Sequence, residues 1–424
     1  SLNGVVYVVG GRGAILGSVT GRIVAIDART GRTRAAGQLA VPRSDLMAVA
    51  VGTHIVLAGG HSASATLGDV SELVAGRAPA YRVPALLSRT DVYAAERPGL
   101  LTGAARFAKP LVYVPDTLSN DVYVISQRTM KVVGHFAVGA LPQHVTPAYD
   151  LKTLYVLNDQ GNSLTTIDPR NGRPGRTIPV DDPYNMYFTP DGRYAIVVAE
   201  RNARLDFRDA HSFALHKALP VPCRGVDHMD FSADGRYLIA SCEFSGQLVK
   251  VDVQTERVVG SLTLPRRMRG MRGMPQDVKL SPDGKVFYVA DMMANGLWTV
   301  DGNRFRVTGF IHTGRGTHGL YPSRDARFLY ATNRQEGTIS VLSFATRKVV
   351  EKWTIPGGGS PDMGGVSADG KVLWVTGRYN AEVYAISTRT GKLLARIPVG
   401  SGPHGLCVWP QPGGYSLGHT GILR

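Results

Sequence analysis

Seven polar residues recur along this chain at intervals of 41 to 49 residues: His144, Asn185, His228, Asp277, His318, Asp362 and His404. Each opens a stretch of alternating apolar residues, so each is expected at the start of a strand. If those strands surround one axis, the seven side chains converge on it. The chain has 11 histidines, and four on seven chosen positions is far more than an even scatter would place there. Converging imidazoles and carboxylates suit a divalent transition metal: imidazole favours Cu, Zn, Fe or Ni, and nearby methionines tilt the choice toward Cu. The expected ligand set is His144, His228, His318 and His404, completed by Asp277 and Asp362. A metal there can act as a Lewis acid, activate water or carry electrons. Spacing near 40 residues is no sequential metal motif, so the set has meaning only through the fold. Counted from the Asp-Gly turn that follows, His318 and Asp362 lie one residue earlier than the others.

A second set sits where the next strand of each repeat ends: Asp159, Glu200, Glu243, Asp291 with Met292, Arg334 and Arg378. It predicts a mouth that is acidic over consecutive repeats and basic on the far side. Arg334 and Arg378 would orient a negatively charged group, with Asn185 and Asp159 as further ligand contacts. Without a metal, a histidine opposite Glu200 or Glu243 can still serve general acid–base chemistry. An insertion on the same face, Arg266-Arg-Met-Arg-Gly-Met-Arg-Gly-Met274, is either a lid over the axis or a solvated loop. The plain alternative for the whole constellation is structural, since polar groups at such a mouth bond one another and trapped water. His54, His61, His135, His211, His216, His312 and His419 read as ordinary surface or turn residues.

These residues need a repeat to position them. Strand, Asp-Gly-Arg/Lys turn and second strand recur in Tyr184–Val197, His228–Ile239, Asp277–Tyr288 and Asp362–Trp374, with degenerate copies at His144 and His318. Asp-Gly is a hairpin signal because glycine tolerates the positive φ of tight turns. A third strand, as in Leu248–Asp252 or Val383–Ser387, and a fourth follow each hairpin. Four short strands per 40-odd residues make the blade of an all-β propeller. Leu111–Val133 supplies strands two to four of a blade that lacks an opening strand, and Gly402–Val408 is an opening strand with nothing after it. Joining them closes a ring of seven blades and leaves no open sheet edge.

Tyr330-Ala-Thr-Asn333, Trp374-Val-Thr-Gly377 and the turn Thr388-Arg-Thr-Gly-Lys392 resemble the YVTN family of seven-bladed propellers. The resemblance covers about 300 residues, and that family is similar in fold to the d1-haem and nitrous oxide reductase propellers. It implies export (a periplasmic, secreted or cell-surface protein) and, for an enzyme, redox or lyase chemistry with a metal. A d1-type haem is implied by fold analogy alone and ranks below a bare Cu, Zn or Fe ion. Val5-Val-Tyr-Val-Val-Gly-Gly11 and His54-Ile-Val-Leu-Ala-Gly-Gly60 resemble the double-glycine strands of kelch repeats. The expected organisation is therefore kelch-like strands over 1–75, a proline-marked linker over 76–109, the propeller over 110–410 and a tail over 411–424.

Composition narrows the partners. No apolar run approaches the ~18 residues of a membrane span. A net charge of +15 attracts polyanions of any kind, yet no nucleic-acid-reading motif accompanies it, so sequence-specific nucleic-acid binding is not expected. An interaction scaffold for protein or anionic polymer is the alternative to a small-molecule or metal site. Three cysteines leave room for a Cys223–Cys242 bridge or for two buried thiols, with Cys407 over. Ser1-Leu-Asn-Gly4 shows neither a basic n-region nor a cleavage site, which leaves a removed signal peptide or a longer chain open.

Overall fold

The computed structural model describes residues 5–12, 18–39, 41–51, 54–74, 81–267, 270–419 and 421–424. It divides into two compact units, Ser1–Arg82 with Ala214–His216, and Val83–Phe213 with Lys217–Arg424. The first holds two three-stranded sheets, Val5–Val9, Arg22–Asp27 and Thr33–Gln38, then Met47–Val51, His54–Ala58 and Val70–Val74. Ile23, Leu39, Ile55 and Leu57 form its buried core. Arg43 pairs with both oxygens of Asp69, at 2.9 and 3.0 Å.

The second unit is a β-propeller. Seven antiparallel sheets follow one another, each with the four strands of a blade; in six of them these run in sequence order, and in the seventh a C-terminal strand pairs with Leu111–Asp116. We number them by their inner strands: Cys407–Trp409 (blade 1), Pro142–Pro147 (blade 2), Asn185–Phe188 (blade 3), Val226–Phe231 (blade 4), Pro275–Leu280 (blade 5), Thr317–Pro322 (blade 6) and Pro361–Val366 (blade 7). Blade 1 is closed as the sequence predicts, with Cys407 opposite Tyr113 and Trp409 opposite Leu111. Inner strands are packed on both faces, so every residue of Val226–Phe231 is buried. The outermost strand of the same blade, Arg257–Thr263, alternates between exposed and half-buried. That gradient explains why the inner and middle strands read as apolar runs and the outer ones as alternating.

The hairpin joining the first two strands is set by local chemistry. In blade 4 the Ser232 hydroxyl donates to Asp234 at 2.7 Å and accepts from the Tyr237 amide at 3.1 Å. Gly235 then takes φ 68°, a left-handed conformation that carries no Cβ penalty for glycine. Blade 6 makes the same turn with alanine, Ala326, at φ 53°.

Sheet cores between blades bury Trp374, Trp409, Tyr113 and Phe231 completely, each worth about 1.5–3 kcal/mol or more in transfer terms. From Val83 onward, the stretch read as a linker belongs to the propeller unit. The Val92 amide donates to the Pro282 carbonyl at 2.9 Å. Glu96 is buried, pairs with Arg324 at 2.7 Å and accepts from the Leu423 amide at 3.2 Å. The tail does more than trail away. Its strands Ser416–Gly418 and Ile422–Leu423 extend blade 3 to six strands, with Gly418 opposite Tyr187. An inner strand presents unpaired backbone groups along the axis, and the tail satisfies part of that edge. Buried Arg424 reaches Asp230 at 3.4 Å.

Candidate functional site at the channel mouth

Strand register sorts the seven opening residues into two tiers. Pro142, Val226, Pro275, Thr317 and Pro361 each lie opposite the last residue of the following strand, and Pro403 lies opposite Asp116. The next residue in each chain segment forms a rim: Gln143, Asp227, Gln276, His318, Asp362 and His404. One residue further in comes a deeper tier: His144, His228, Asp277, Gly319, Met363 and Gly405. In blade 3, Asn185 belongs to the deeper tier by its pairing with Val198, and Tyr184 stands above it. The offset of His318 and Asp362 is therefore a real difference of level.

At the rim, Asp362 gathers groups from three blades. His404 Nδ1 lies 2.8 Å from its Oδ2. His318 Nδ1 and Arg334 Nη1 are each 3.1 Å from its Oδ1, and Arg378 Nε is 3.9 Å from Oδ2. Burial would push this carboxyl up, but His318, Arg334 and His404 outweigh burial and hold it well below the usual carboxylate range. Burial, reinforced by Arg378 and opposed by Asp362, drives His404 down to about 4. His318 is likewise pushed well below the usual imidazole value by burial. Both rings are thus neutral at physiological pH. Arg334 also donates to Met292 Sδ at 2.8 Å, while its Nε and Arg378 Nη1 are buried without a hydrogen-bond partner among the described residues.

The deeper tier is a stack of imidazoles. His144 has ring centroids of His419, His404 and His228 at 4.2, 4.8 and 5.2 Å. Among the described residues, neither ring nitrogen of His144 has a hydrogen-bond partner. Gly405 lies so close that a Cβ there would collide with the His144 ring, which is why blade 1 carries no side chain at this level. His228 Nδ1 accepts from the Asn185 amide at 3.1 Å, so its proton sits on Nε2. That Nε2 is 3.2 Å from Asp227 Oδ1 but not aligned as a hydrogen bond. Burial, with the neighbouring rings, pushes both His144 and His228 well below the ordinary imidazole value.

Opposite the arginines runs an arc of carboxyl groups. Burial, then Glu243, Asp159 and Asp182, raise Glu200 to about 7. Burial and Asp182 raise Asp159 to about 7 against the pull of Arg201. Burial raises Glu243 despite Arg334 and Arg378. Buried Asp227 is raised well above the carboxylate range by burial, Glu243 and Glu200. The Tyr184 side chain pulls the other way, but among the described residues no donor is well aligned on either of its oxygens.

The YNCE-like β-propeller family matches residues 84–411 of this chain. The chain belongs to that family. This YNCE-like propeller is 27% identical over 169 residues to the uncharacterized protein YncE of Salmonella typhi, a stretch covering 38% of this chain and 47% of that protein. It thus spans about half the length of the curated relatives it matches. Hydrazine synthase of Kuenenia stuttgartiensis superposes with a TM-score of 0.57 at 19% identity, over 67% of this chain and 93% of that one. Dihydro-haem d1 dehydrogenase NirN, solved in complex with DHE, superposes with a TM-score of 0.54 at 14% identity, over 77% of this chain and 79% of that one. At such identities the likeness is one of fold.

Not every expected residue of the YNCE-like propeller reaches the mouth cluster. Asp277 spends both oxygens on backbone, accepting from the Val278 and Leu320 amides at 2.9 Å each, and so stitches blade 5 to blade 6. Asp291 likewise closes a turn, accepting from the Met274, Met293 and Ala294 amides and from the Trp298 indole. Among the described residues, no three His, Cys, Asp or Glu side chains stand as a ready metal site. In the Arg266–Met274 insertion, Met268 and Arg269 lie outside the described residues. Its Arg267, in the connection from blade 4 to blade 5, stacks 4.1 Å from the Phe310 ring centroid of blade 5.

His419 corrects the reading of a surface residue: it is buried against His144, in a tail that carries no repeat to announce it. Asp227 was also missed, although it adjoins His228 and shares the rim level of Asp362. Cys223 and Cys242 are joined by a disulfide with Cα atoms 6.0 Å apart, and Cys407 is free and buried. Among the described residues, no helix is long and apolar enough to cross a membrane.

Proposed function

We propose that this YNCE-like propeller is an extracytoplasmic protein that binds a small anionic molecule at its channel mouth. One observation carries the reading: two arginines, Arg334 and Arg378, share the single carboxylate of Asp362, and each keeps a buried N–H without a partner among the described residues. A buried donor left unpaired costs about 1–3 kcal/mol, which an anionic group seated there would recover. His318 and His404, neutral and oriented by Asp362, add hydrogen-bonding nitrogens beside it. Glu200, raised to about 7, is suited to exchange a proton with whatever is bound. Proton-transfer chemistry of the lyase type is the enzymatic form of this reading. The disulfide supports an oxidising compartment.

A metal is the second reading, favoured by the two unpartnered ring nitrogens of His144. Among the described residues no ready ligand set stands, so His144, His228, His404 and His419 would have to turn to hold Cu, Zn or Fe. Elemental analysis of the purified protein beside a His144→Ala variant tests it: stoichiometric metal lost in the variant supports the metal, and metal-free protein of equal stability removes it. A scaffold for anionic polymer, favoured by the charge of +15, would bind with steep salt dependence.

The anion reading is tested by calorimetric titration of phosphate, sulfate and succinate into the wild type and Arg378→Gln. The expected result is saturable one-to-one binding of at least one anion, weakened about tenfold or more in the variant, the loss of a charged hydrogen bond. Absence of saturable binding by all three, or binding that the variant leaves unchanged, overturns it.

A further inference from the structure

We propose that the molecule bound at the mouth is a zwitterion, a small aminocarboxylate whose carboxylate lies at Arg334 and Arg378 and whose ammonium lies among Asp227, Glu200 and Glu243. This rests on the anion reading and adds to it the second end of the ligand. Among the described residues, the arginines leave buried donors unpaired at Arg334 Nε and Arg378 Nη1. Across the mouth, buried acceptors lack a well-aligned donor among the described residues: Asp227, beside the Tyr184 hydroxyl and His228 Nε2, and Oε1 of Gln143. Asp227 is 1% exposed and Gln143 8% exposed, so bulk water does not freely satisfy either. A ligand that is only an anion fills half of this pattern and brings negative charge toward the acidic arc. One that donates hydrogen bonds at one end and accepts them at the other fills both halves.

The charge balance agrees. On the arginine side two guanidiniums face one carboxylate, an excess of positive charge. On the other side Asp159, Asp182, Glu200, Asp227 and Glu243 face Arg201, which is engaged with Asp182 at 2.8 Å and Asp159 at 3.4 Å. Protons held by these carboxyl groups relieve their mutual repulsion, and a seated ammonium would replace them. Glu243 feels the charge of both Arg334 and Arg378, so the two halves face each other across one mouth. An ammonium bonded to these carboxylates gains charge-assisted hydrogen bonds that an uncharged chain end does not.

The test is titration of the full chain with glycine, β-alanine, γ-aminobutyrate and δ-aminovalerate, each beside the carboxylate lacking the amine: acetate, propionate, butyrate and valerate. At least one aminocarboxylate should bind about tenfold or more tightly than its amine-free counterpart, the worth of a charged hydrogen bond. Glu200→Gln/Glu243→Gln should erase that advantage and leave the amine-free carboxylate unchanged, while Arg378→Gln should weaken both. Equal binding of the two series in the wild type overturns the zwitterion and leaves the anion reading standing. Failure of both series, with phosphate, sulfate and succinate also failing to bind, removes both; if one of those three binds, only the zwitterion falls. The wild-type comparison decides even if the double variant does not fold.

Discussion

His404 Nδ1 lies 2.8 Å from Asp362 Oδ2, a contact between the strand that closes the ring and the blade before it. Ring closure and site assembly are therefore the same event. His404 precedes Cys407–Trp409, which completes blade 1, and its imidazole reaches the carboxylate that also holds Arg334 from blade 6. Three blades meet at one fully buried residue.

Asp362→Asn should accordingly be costly. It leaves Arg334 and Arg378 without their shared counter-charge, and breaking a buried pair from one side costs about 3–5 kcal/mol. Urea unfolding of the variant checks this. A loss below about 1 kcal/mol would place these charges in a far more water-like setting than their burial implies.

Stability should fall as pH rises from about 6.5 to 8, and Asp116 is the group to test. Burial, then Asp121, raises its carboxyl to about 8. A folded-state value above the unfolded one means that the native state holds the extra proton. Stability is then full below the unfolded value and is lost as pH climbs through the folded one, with a slope of up to about 1.4 kcal/mol per pH unit for each such proton. Glu200 and Asp159, at about 7, add to the lower part of this window. The depressed histidines act below about 6.5, where the unfolded chain takes up their protons. Unfolding midpoints measured across this range should flatten in Asp116→Asn; an unchanged slope would assign the effect elsewhere.

Much of this was legible in the sequence, and the reasons differ by element. The hairpins could be read because Gly192, Gly235, Gly284 and Gly370 all take positive φ, a demand few other residues meet. Closure could be read because an orphan opening strand and an orphan three-strand segment complete each other. The tiers were present as a one-residue offset at His318 and Asp362, but their meaning was hidden. Strand alternation sends successive residues to opposite faces. Register shifts at Val226/Met229, Pro275/Val278, Thr317/Leu320 and Pro361/Gly364 interrupt that alternation where the rim and deeper residues sit. The contribution of His419 had no signal, because the tail that carries it repeats nothing.

Ala326→Gly should stabilise the propeller. Ala326 holds φ 53° in the blade 6 hairpin, where blades 3, 4, 5 and 7 use glycine and blade 2 uses Leu151 at φ 63°, and a left-handed non-glycine residue costs roughly 1–2 kcal/mol. Part of that gain is lost to the greater freedom of glycine in the unfolded chain, leaving about 0.5–1 kcal/mol. A shift of the urea midpoint to higher concentration is expected; a lower midpoint would show that the methyl packs more than it strains.

Cys223→Ser should cost about 3 kcal/mol, the loop-closure value for a bridge of similar span, since the two cysteines are 19 residues apart. Calorimetry with and without reductant checks it. A reduced wild type that melts with the oxidised form would argue against a structural bridge.

The most direct test of the mouth as an anion site is anomalous diffraction from a crystal soaked in bromide. Bromide density between the guanidinium groups of Arg334 and Arg378, absent from an Arg378→Gln crystal, is the expected result. Bromide confined to lysines and arginines on the outer strands, with the mouth holding none, would contradict it.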